Sequence, residues 1–480
     1  MQDQVSVDLY IDGRWMPAEA GETVKMIDPA TEEQVGSFAQ AQSKDVLKAI
    51  EAAERAFATW SKVPAWERSN LLRKAASLLA ERSEQVARRI TLECGKPFAQ
   101  AKGEVQASVE CIDWFADEAR RIYGQILPGR TANSRFTATY EPVGVVAAFT
   151  AWNFPVVLQA RKIAPALAAG CTIVSRPAEE GSGAVALLIK CFIDAGVPAG
   201  VVNLLTGTPQ VISETVMDSD IVRKVTFTGS IPVGQHLMRR AADTVKRMSM
   251  ELGGHSPVIV HEDVDPAKAA MIAAQGKFRN NGQVCVSPTR FYVHEKHKDA
   301  FTENFLAAAK AMKMGNGFED GVEIGPLINR RRLEFIEQMV EDTKKDGGTL
   351  VMGGKRPADM NRGYFFEPTV FTDVPDDARI MNDEPFGPIA PLSTFSAFDE
   401  VIERANALPY GLAAYVFTDS LKLAQQTSQA LKVGIVAVNN TAAATAEMPF
   451  GGVKHSGFGR ENGSQGLLDY LDVKFTNFSF

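Results

Sequence analysis

Val143-Gly144-Val145-Val146-Ala147-Ala148-Phe149 is the stretch on which the reading of the fold turns. Its apolar residues run on without alternating, which marks a strand buried on both faces. Three more short apolar runs follow, Thr172 to Ser175, Val201 to Leu205 and Val225 to Thr228, with helical segments between them. Strands alternating with helices indicate a parallel sheet joined by crossover helices, hence a nucleotide-binding type of α/β domain. A second alternation occupies about residues 257 to 440, with strands expected near 257–260, 289–294 and 434–438. Two α/β domains with a cleft between them are the expected architecture. Upstream, residues 44 to 123 read as helical: Ser43 can cap, and Val46, Leu47, Ile50, Ala53 and Phe57 recur at helical spacing. Pro64 and Pro97 fall near the starts of further helices, where a missing N–H costs little.

Composition narrows the field. The 480 residues are 45% hydrophobic and 23% charged, ordinary values for a soluble globular protein of two or three domains. A net charge of −7, from 51 basic against 58 acidic residues, argues against a general affinity for nucleic acid. No apolar run approaches the roughly 20 residues that a membrane helix needs. The polar start Met1-Gln2-Asp3-Gln4 is unlike a secretory or organelle-targeting leader. Cys94, Cys111, Cys171, Cys191 and Cys285 are scattered without metal-ligand spacing, so neither a disulfide framework nor a bound metal is expected. A reducing cytoplasm is the expected compartment.

The tail from Leu468 to Phe480 alternates apolar and polar residues, among them Tyr470, Val473, Phe475 and Phe478. A strand there must pair, because an exposed apolar edge invites association. Two readings stay open: a subunit-contact strand, or an edge strand of its own domain.

Gly282-Gln283-Val284-Cys285 and, upstream, Glu251-Leu252-Gly253-Gly254 carry the chemistry. A thiol can attack a carbonyl to form a covalent intermediate, and a carboxylate with no basic neighbour in sequence can activate the water that releases it. The glycines after Leu252 let backbone approach a ligand closely. Alone, Cys285 also reads as a small buried hydrophobe. Phe227-Thr228-Gly229-Ser230, ahead of Gly234, reads as a strand passing through a turn into a helix. Open N–H groups and the helix dipole there suit a pyrophosphate, although the G-x-G-x-x-G fingerprint is absent and such a turn also serves simply as a cap. Trp152-Asn153-Phe154-Pro155 follows directly on the first apolar run, so the Asn153 amide can donate to an oxyanion, or serve its own turn. In Glu384-Pro385-Phe386-Gly387-Pro388, a carboxylate fixed by prolines suits a sugar diol and the aromatic a flat ring. The plain alternative is a rigid surface loop.

Six segments carry a resemblance: Thr150–Pro155, Phe227–Ser230, Met250–Gly254, Phe278–Cys285, Asn382–Pro388 and Pro449–Glu461. In their order and approximate spacing the chain resembles the aldehyde dehydrogenase superfamily over essentially its whole length. Within it, the nearest likeness is to semialdehyde dehydrogenases of the α-ketoglutarate and succinate type. The resemblance implies an α/β fold with a Rossmann-type NAD(P)-binding domain in residues 1–122 and 140–250. It further implies an α/β catalytic domain in 251–440 and a small oligomerisation strand extension in 123–139 and 460–480. Cys285 would be the nucleophile and Glu251 the general base, and Asn153 with the backbone N–H of Cys285 would form the oxyanion hole. Gly229 and Ser230 would face the cofactor pyrophosphate, Glu384 the nicotinamide ribose, Phe386 the nicotinamide side and Glu179 the adenine ribose. Trp152, Arg176 and Leu252 complete the cofactor-facing set. The implied activity is NAD(P)-dependent oxidation of an aldehyde, expected to be an ω-carboxylated semialdehyde, to its acid through a cysteine thiohemiacetal and thioester, in a homodimer or homotetramer with no nucleic-acid or membrane partner.

Departures from the family pattern bear on cofactor and substrate. Arg176-Pro177-Ala178-Glu179 has arginine where lysine is usual, and an arginine there can grip the 2′-phosphate of NADP. Glu179 repels that phosphate and accepts a diol, which places NAD first and keeps NADP as the alternative. Ala151 stands where a proline commonly precedes the Trp-Asn pair. Arg161 and Arg279 match positions where arginines of semialdehyde dehydrogenases hold the substrate's remote carboxylate, the other reading being structural ion pairs. Ser287 stands on the expected substrate side, where the succinate type often carries a second cysteine. The small loop Thr441-Ala442-Ala443-Ala444-Thr445 and apolar Leu158 suggest a roomier pocket, so a sulfonated or aromatic aldehyde is the alternative substrate. Two rivals remain: a CoA-acylating dehydrogenase, which the base Glu251 argues against, and a catalytically silent binding protein on the same scaffold.

Overall fold

Every residue of Val145–Phe149 (β1) is buried, as an unbroken apolar run requires. A computed structural model describes residues 5–480; the polar start Met1 to Gln4 lies outside the described residues. Side chains alternate along a strand, so β1 serves two cores. Val146 and Ala148 pack with helical residues such as Leu72, Ile112 and Ile163. Val145, Ala147 and Phe149 face the other way, toward Val46, Ile50 and Leu237. Each fully buried Val, Leu, Ile or Phe contributes about 1.5–3 kcal/mol, so helices must cover both faces.

From β1 the chain passes through α1 (Pro155–Ala169), β2 (Thr172–Arg176), α2 (Ser182–Ala195) and β3 (Val202–Leu204). It continues through α3 (Pro209–Asp218), β4 (Val222–Gly229), α4 (Ile231–Ala241) and β5 (Arg247–Leu252). Across the sheet these strands lie in the parallel order β5-β4-β1-β2-β3. Antiparallel strands extend both edges, Leu9–Ile11 with Arg14–Met16 beside β3, and Gly457–Phe458 beside β5. The path steps from β1 to one side, then returns to the other through β4 and β5. At such a reversal the loops after β1 and β4 diverge and open a crevice at the strands' carboxyl ends.

Helices Ser43–Trp60, Ala65–Glu81, Ser83–Cys94 and Phe98–Glu118 fill the expected helical stretch, with Pro64 and Pro97 as N-caps. Two details differ. Gln42 rather than Ser43 is the first N-cap, because the Asp45 carboxylate accepts the Gln42 N–H at 3.0 Å. Leu47 is exposed, one position off the buried stripe of Val46, Ala49, Ile50 and Ala53.

A second sheet contains β6 (Ser256–Val260), β7 (Pro288–His294), β8 (Thr349–Met352), β9 (Thr369–Thr372), β10 (Ile389–Phe395), β11 (Ala413–Phe417) and β12 (Ile435–Val438). Its order is β8-β9-β10-β7-β6-β11-β12, parallel except where β8 meets β9. Helix α5 (Pro266–Phe278) joins β6 to β7, and the Asp265 carboxylate caps it by accepting from Ala267 N at 2.9 Å. The α/β class with two sheet domains agrees with the expectation.

Leu471–Ser479 pairs antiparallel with Ser134–Pro142 along its whole length, and that strand pairs with Gln125–Pro128. The terminal strand is an edge within its own chain, and Val473, Phe475 and Phe478 on it remain exposed. The strand it pairs with spans Ser134–Pro142. Upstream of the terminal strand Glu461 and Leu467 are buried, and Glu461 pairs with Lys162 in the interior. Among the described residues no helix is long and apolar enough to cross a membrane.

Candidate active site

Cys285 sits in the loop between α5 and β7, which opens with three successive left-handed residues: Asn280 (φ 48°), Asn281 (φ 54°) and Gly282 (φ 72°). Asparagine tolerates that conformation better than most side chains, and here both amides are employed. Asn280 Nδ2 donates to the carbonyls of Asn153 and Gln283, each at 3.2 Å. Asn281 Nδ2 donates to Gly325 O at 2.9 Å, and Gln283 Oε1 accepts from Ile328 N at 2.9 Å. The thiol therefore rides on a pinned loop, half-buried rather than sealed.

The first sheet supplies the opposite wall. Strands β4 and β5 pair with Thr228 beside Glu251 and Gly229 beside Leu252, while Phe149 of β1 lies beside Phe227. Their carboxyl ends present Ser230, Glu251 and the Trp152-Asn153 turn to one crevice. A chamber of about 190 Å³ opens there, lined by Asn153, Glu251 and Cys285. Trp152, Gly229, Ser230, Leu252, Glu384 and Phe386, the expected cofactor-side residues, line the same chamber. Phe386 has a positive φ of 43° and meets Trp152 edge-on, ring centroids 5.5 Å apart. A bulky residue in that region is strained, a pattern concentrated at functional sites.

A second chamber, of about 360 Å³, shares Asn153, Leu158, Cys285 and Phe450 with the first. Arg161, Arg279 and the loop Thr441–Ala444 line only this second chamber. Aromatic rings face both guanidinium groups: Arg161 lies 4.7 Å from the centroid of Phe450, and Arg279 lies 5.4 Å from that of Phe154. Among the described residues the buried Nε of Arg161 has no hydrogen-bond partner.

Burial pushes the Cys285 thiol up to about 12, with Glu384 adding to the rise and Arg161 opposing it. Burial, and next the neighbouring Glu461, hold the Glu251 carboxyl well above the usual range, while Lys162, Arg460 and Arg161 draw it down. The fold thus brings cations near Glu251 that its sequence neighbours do not supply. Even so, both its oxygens are buried without a hydrogen-bond partner among the described residues. A carboxylate whose proton affinity is raised by burial is the stronger base. Lys162 bonds Glu461, and also Thr226 Oγ1 at 3.1 Å. Removing one partner of such a buried pair costs about 3–5 kcal/mol. Burial likewise raises Glu384 to about 8, against the lowering effect of the Gly254 N–H, Arg332 and Lys277.

Not every expected residue reaches these chambers. Ser287 is not among the residues lining either chamber; it is buried and its hydroxyl donates to Pro288 O at 3.3 Å. Three positions past the thiol, at Pro288, the chain enters β7. Arg176, the last residue of β2, donates to Gly207 O at 2.9 Å and stands 4.0 Å from the exposed Glu179; both lie outside the two chambers. A Cβ at Gly253 would come 2.5 Å from Glu384 Oε2, so this glycine makes room for a protein carboxylate. Residues that sequence reading did not single out also belong here. Thr228, Phe450 and Glu461 fall inside the quoted motifs, and Lys162 adjoins Arg161. Arg332, 5.6 Å from the Phe386 ring, lies in an arginine run with no motif signal.

The first chamber fits a nicotinamide nucleotide. Ser230 caps α4 without a side-chain bond to the helix, leaving its N–H groups for an anion, and the Thr228 hydroxyl is buried and unpartnered among the described residues. Fold and site together define a two-domain α/β oxidoreductase built around a thiol. The chain belongs to the aldehyde dehydrogenase family, whose model matches residues 15–476, and is an NAD(P)-dependent enzyme of that family. It is 43% identical over 466 residues to a 3-sulfolactaldehyde dehydrogenase of Pseudomonas putida, covering 97% of this chain and 96% of that one. An NADP-dependent succinate-semialdehyde dehydrogenase of Escherichia coli is 41% identical over 97% of this chain and 96% of its own length. The NAD+ complex of an aldehyde dehydrogenase from Bacillus cereus superimposes with a TM-score of 0.97 at 38% identity, covering 99% of this chain and 97% of that one.

Proposed function

We propose that this enzyme oxidises an aldehyde bearing a second, anionic group to the corresponding acid, with Cys285 as nucleophile, Glu251 as base and Asn153 as oxyanion donor. One observation carries the reading: the thiol stands where two chambers meet, and the chamber away from the cofactor side has two guanidinium groups set against aromatic rings. Arginine forks suit carboxylates and sulfonates alike. Relatives named for a sulfolactaldehyde and for succinate semialdehyde support an anionic substrate.

In this mechanism the Cys285 sulfur attacks the carbonyl carbon, and the Val286 N–H favours its thiolate. The oxyanion of the thiohemiacetal accepts from the Cys285 N–H and from Asn153 Nδ2. One amide hydrogen of Asn153 serves Gln283 O at 3.1 Å, which leaves the second for the oxyanion. Losing one such donor costs about 10²–10³ in kcat. Trp152, Glu384 and Phe386, which line the first chamber, would hold a nicotinamide ring there, and when bound it would supply the hydride acceptor. Glu251 then deprotonates the water that hydrolyses the Cys285 thioester. Water as acyl acceptor, rather than CoA, follows from that poised carboxyl.

Size favours a second reading within the class. Ala442, Ala443 and Ala444 leave the outer chamber wide, and Leu158 adds no polar contact, so an aromatic aldehyde, sulfonated or not, also fits. NAD is the first-choice cofactor because Glu179 repels a 2′-phosphate, while the guanidinium of Arg176 is already engaged by Gly207 O. The exposed apolar strand Leu471–Ser479 supports a homodimer or homotetramer, and the reading as a whole is that of a cytoplasmic enzyme. The test is a panel of carboxylated, sulfonated, aromatic and aliphatic aldehydes with each cofactor and no CoA. Acid formation with kcat/KM highest for anionic aldehydes is expected; equal rates for neutral and anionic members would refute the substrate class.

A further inference from the structure

Lys96, in the turn between helices Ser83–Cys94 and Phe98–Glu118, is almost wholly buried. Its ammonium bonds the Glu104 carboxylate, donates to Asn153 O at 2.8 Å and stands 3.8 Å from the centroid of the Phe154 ring. Glu104 is buried as well, and its other oxygen accepts from Val156 N at 2.9 Å and Val157 N at 3.3 Å, in the first turn of α1. The short loop from β1 to α1 is therefore gripped at two points by one ion pair. From the opposite side Asn280, on the thiol's own loop, donates to the same Asn153 carbonyl at 3.2 Å.

We propose that Lys96 and Glu104 are positioning residues for the acylation step: by holding the Asn153 carbonyl and the start of α1, they aim the Asn153 amide at the substrate oxygen. The inference rests on Asn153 being the oxyanion donor. A buried cation fixes a carbonyl tightly, because little water competes for it. Any drift of Asn153 then moves its amide relative to Cys285, and a misplacement of about 1 Å costs about 10² in rate.

The experiment measures the pre-steady-state burst of NADH in wild type, Lys96→Met, Glu104→Gln, Asn153→Ala and the two double variants. Lys96→Met should slow the burst about 10- to 100-fold, with the cofactor dissociation constant changed less than about threefold. In the Asn153→Ala background the same change should cost less than about threefold, because the residue acts through a group already removed. Effects that multiply in the double variant would overturn the inference and leave Asn153 in its role. An Asn153→Ala enzyme with a wild-type burst would instead remove the oxyanion reading itself. Should Lys96→Met fail to fold in a thermal melt, Glu104→Gln, which keeps the side-chain shape, takes its place in the comparison, and the same outcomes support or overturn the inference.

Discussion

A Cβ at Gly451 would stand 2.7 Å from Oε1 of Glu251, so the glycine backbone forms one wall of the seat of the general base. Gly459 O at 2.9 Å and Arg460 Cδ at 3.0 Å close the same spot, leaving an added methyl nowhere to go. Gly451→Ala should displace Glu251 and slow release of the acyl group by roughly tenfold or more, the usual range for a misplaced acid–base group. Stopped-flow traces should show a burst of NADH followed by a slow phase. A variant whose steady phase is as fast as that of the wild type would mean that Glu251 is not the base of deacylation.

Burial sets the pH behaviour of the nucleophile. A thiol raised to about 12 is protonated throughout the neutral range, and its reactive thiolate grows as pH rises. Alkylation of Cys285 by iodoacetamide in the cofactor-free enzyme should accelerate about tenfold per pH unit from about 7 to about 9, without levelling off. Peptide mass spectrometry separates this site from the four other cysteines, all of them buried. A plateau below pH 9 would show that the resting thiol is far more acidic.

Cofactor affinity should also follow pH, through Glu384. Its carboxyl lies at about 8 in the free protein, and a ribose diol that donates hydrogen bonds is bound by the ionised form. Binding therefore favours proton loss: affinity should rise between about pH 6 and about pH 8 and level off above, by at most about tenfold per unit. Glu384→Gln should flatten the profile. Calorimetric titrations at several pH values decide it, and an unchanged slope in the variant would move the proton to another group.

Arg161 and Arg279 differ from ordinary surface cations in facing rings inside a chamber. Arg161→Ala should raise KM for anionic aldehydes by about 10- to 100-fold, the range for losing a charge-assisted bond, and barely alter it for neutral ones. Arg279→Ala should act in the same direction with a smaller effect, because that residue is exposed. Equal changes for both substrate kinds would mean that the arginines only hold the fold.

Much of the architecture was legible in residue order because it depends on local pattern. The run from Val143 read as a doubly buried strand, and β1 is buried along its length. Cys285, Glu251 and Asn153 stood out because each lies in a motif with a chemical use for its type. Lys162 and Glu461 passed unremarked although 299 positions separate them and they bond in the interior. No local periodicity announces such a pair. Ser287, named from the position of the succinate type's second cysteine, lies buried just ahead of β7, a placement that residue order does not reveal.

Residue order alone settled the two alternating α/β stretches, their apolar cores and the chemical types on offer, since burial pattern and turn chemistry are properties of short segments. Folding alone decided which groups share a cavity. The reversal of strand order at β1, the left-handed turn of Asn280 to Gly282 and the return of the chain at Gly451 bring a thiol, a carboxyl and an amide together. The shifted proton affinities of Cys285 and Glu251 exist only after that assembly, because desolvation and neighbouring charges are set by packing between segments far apart in the chain.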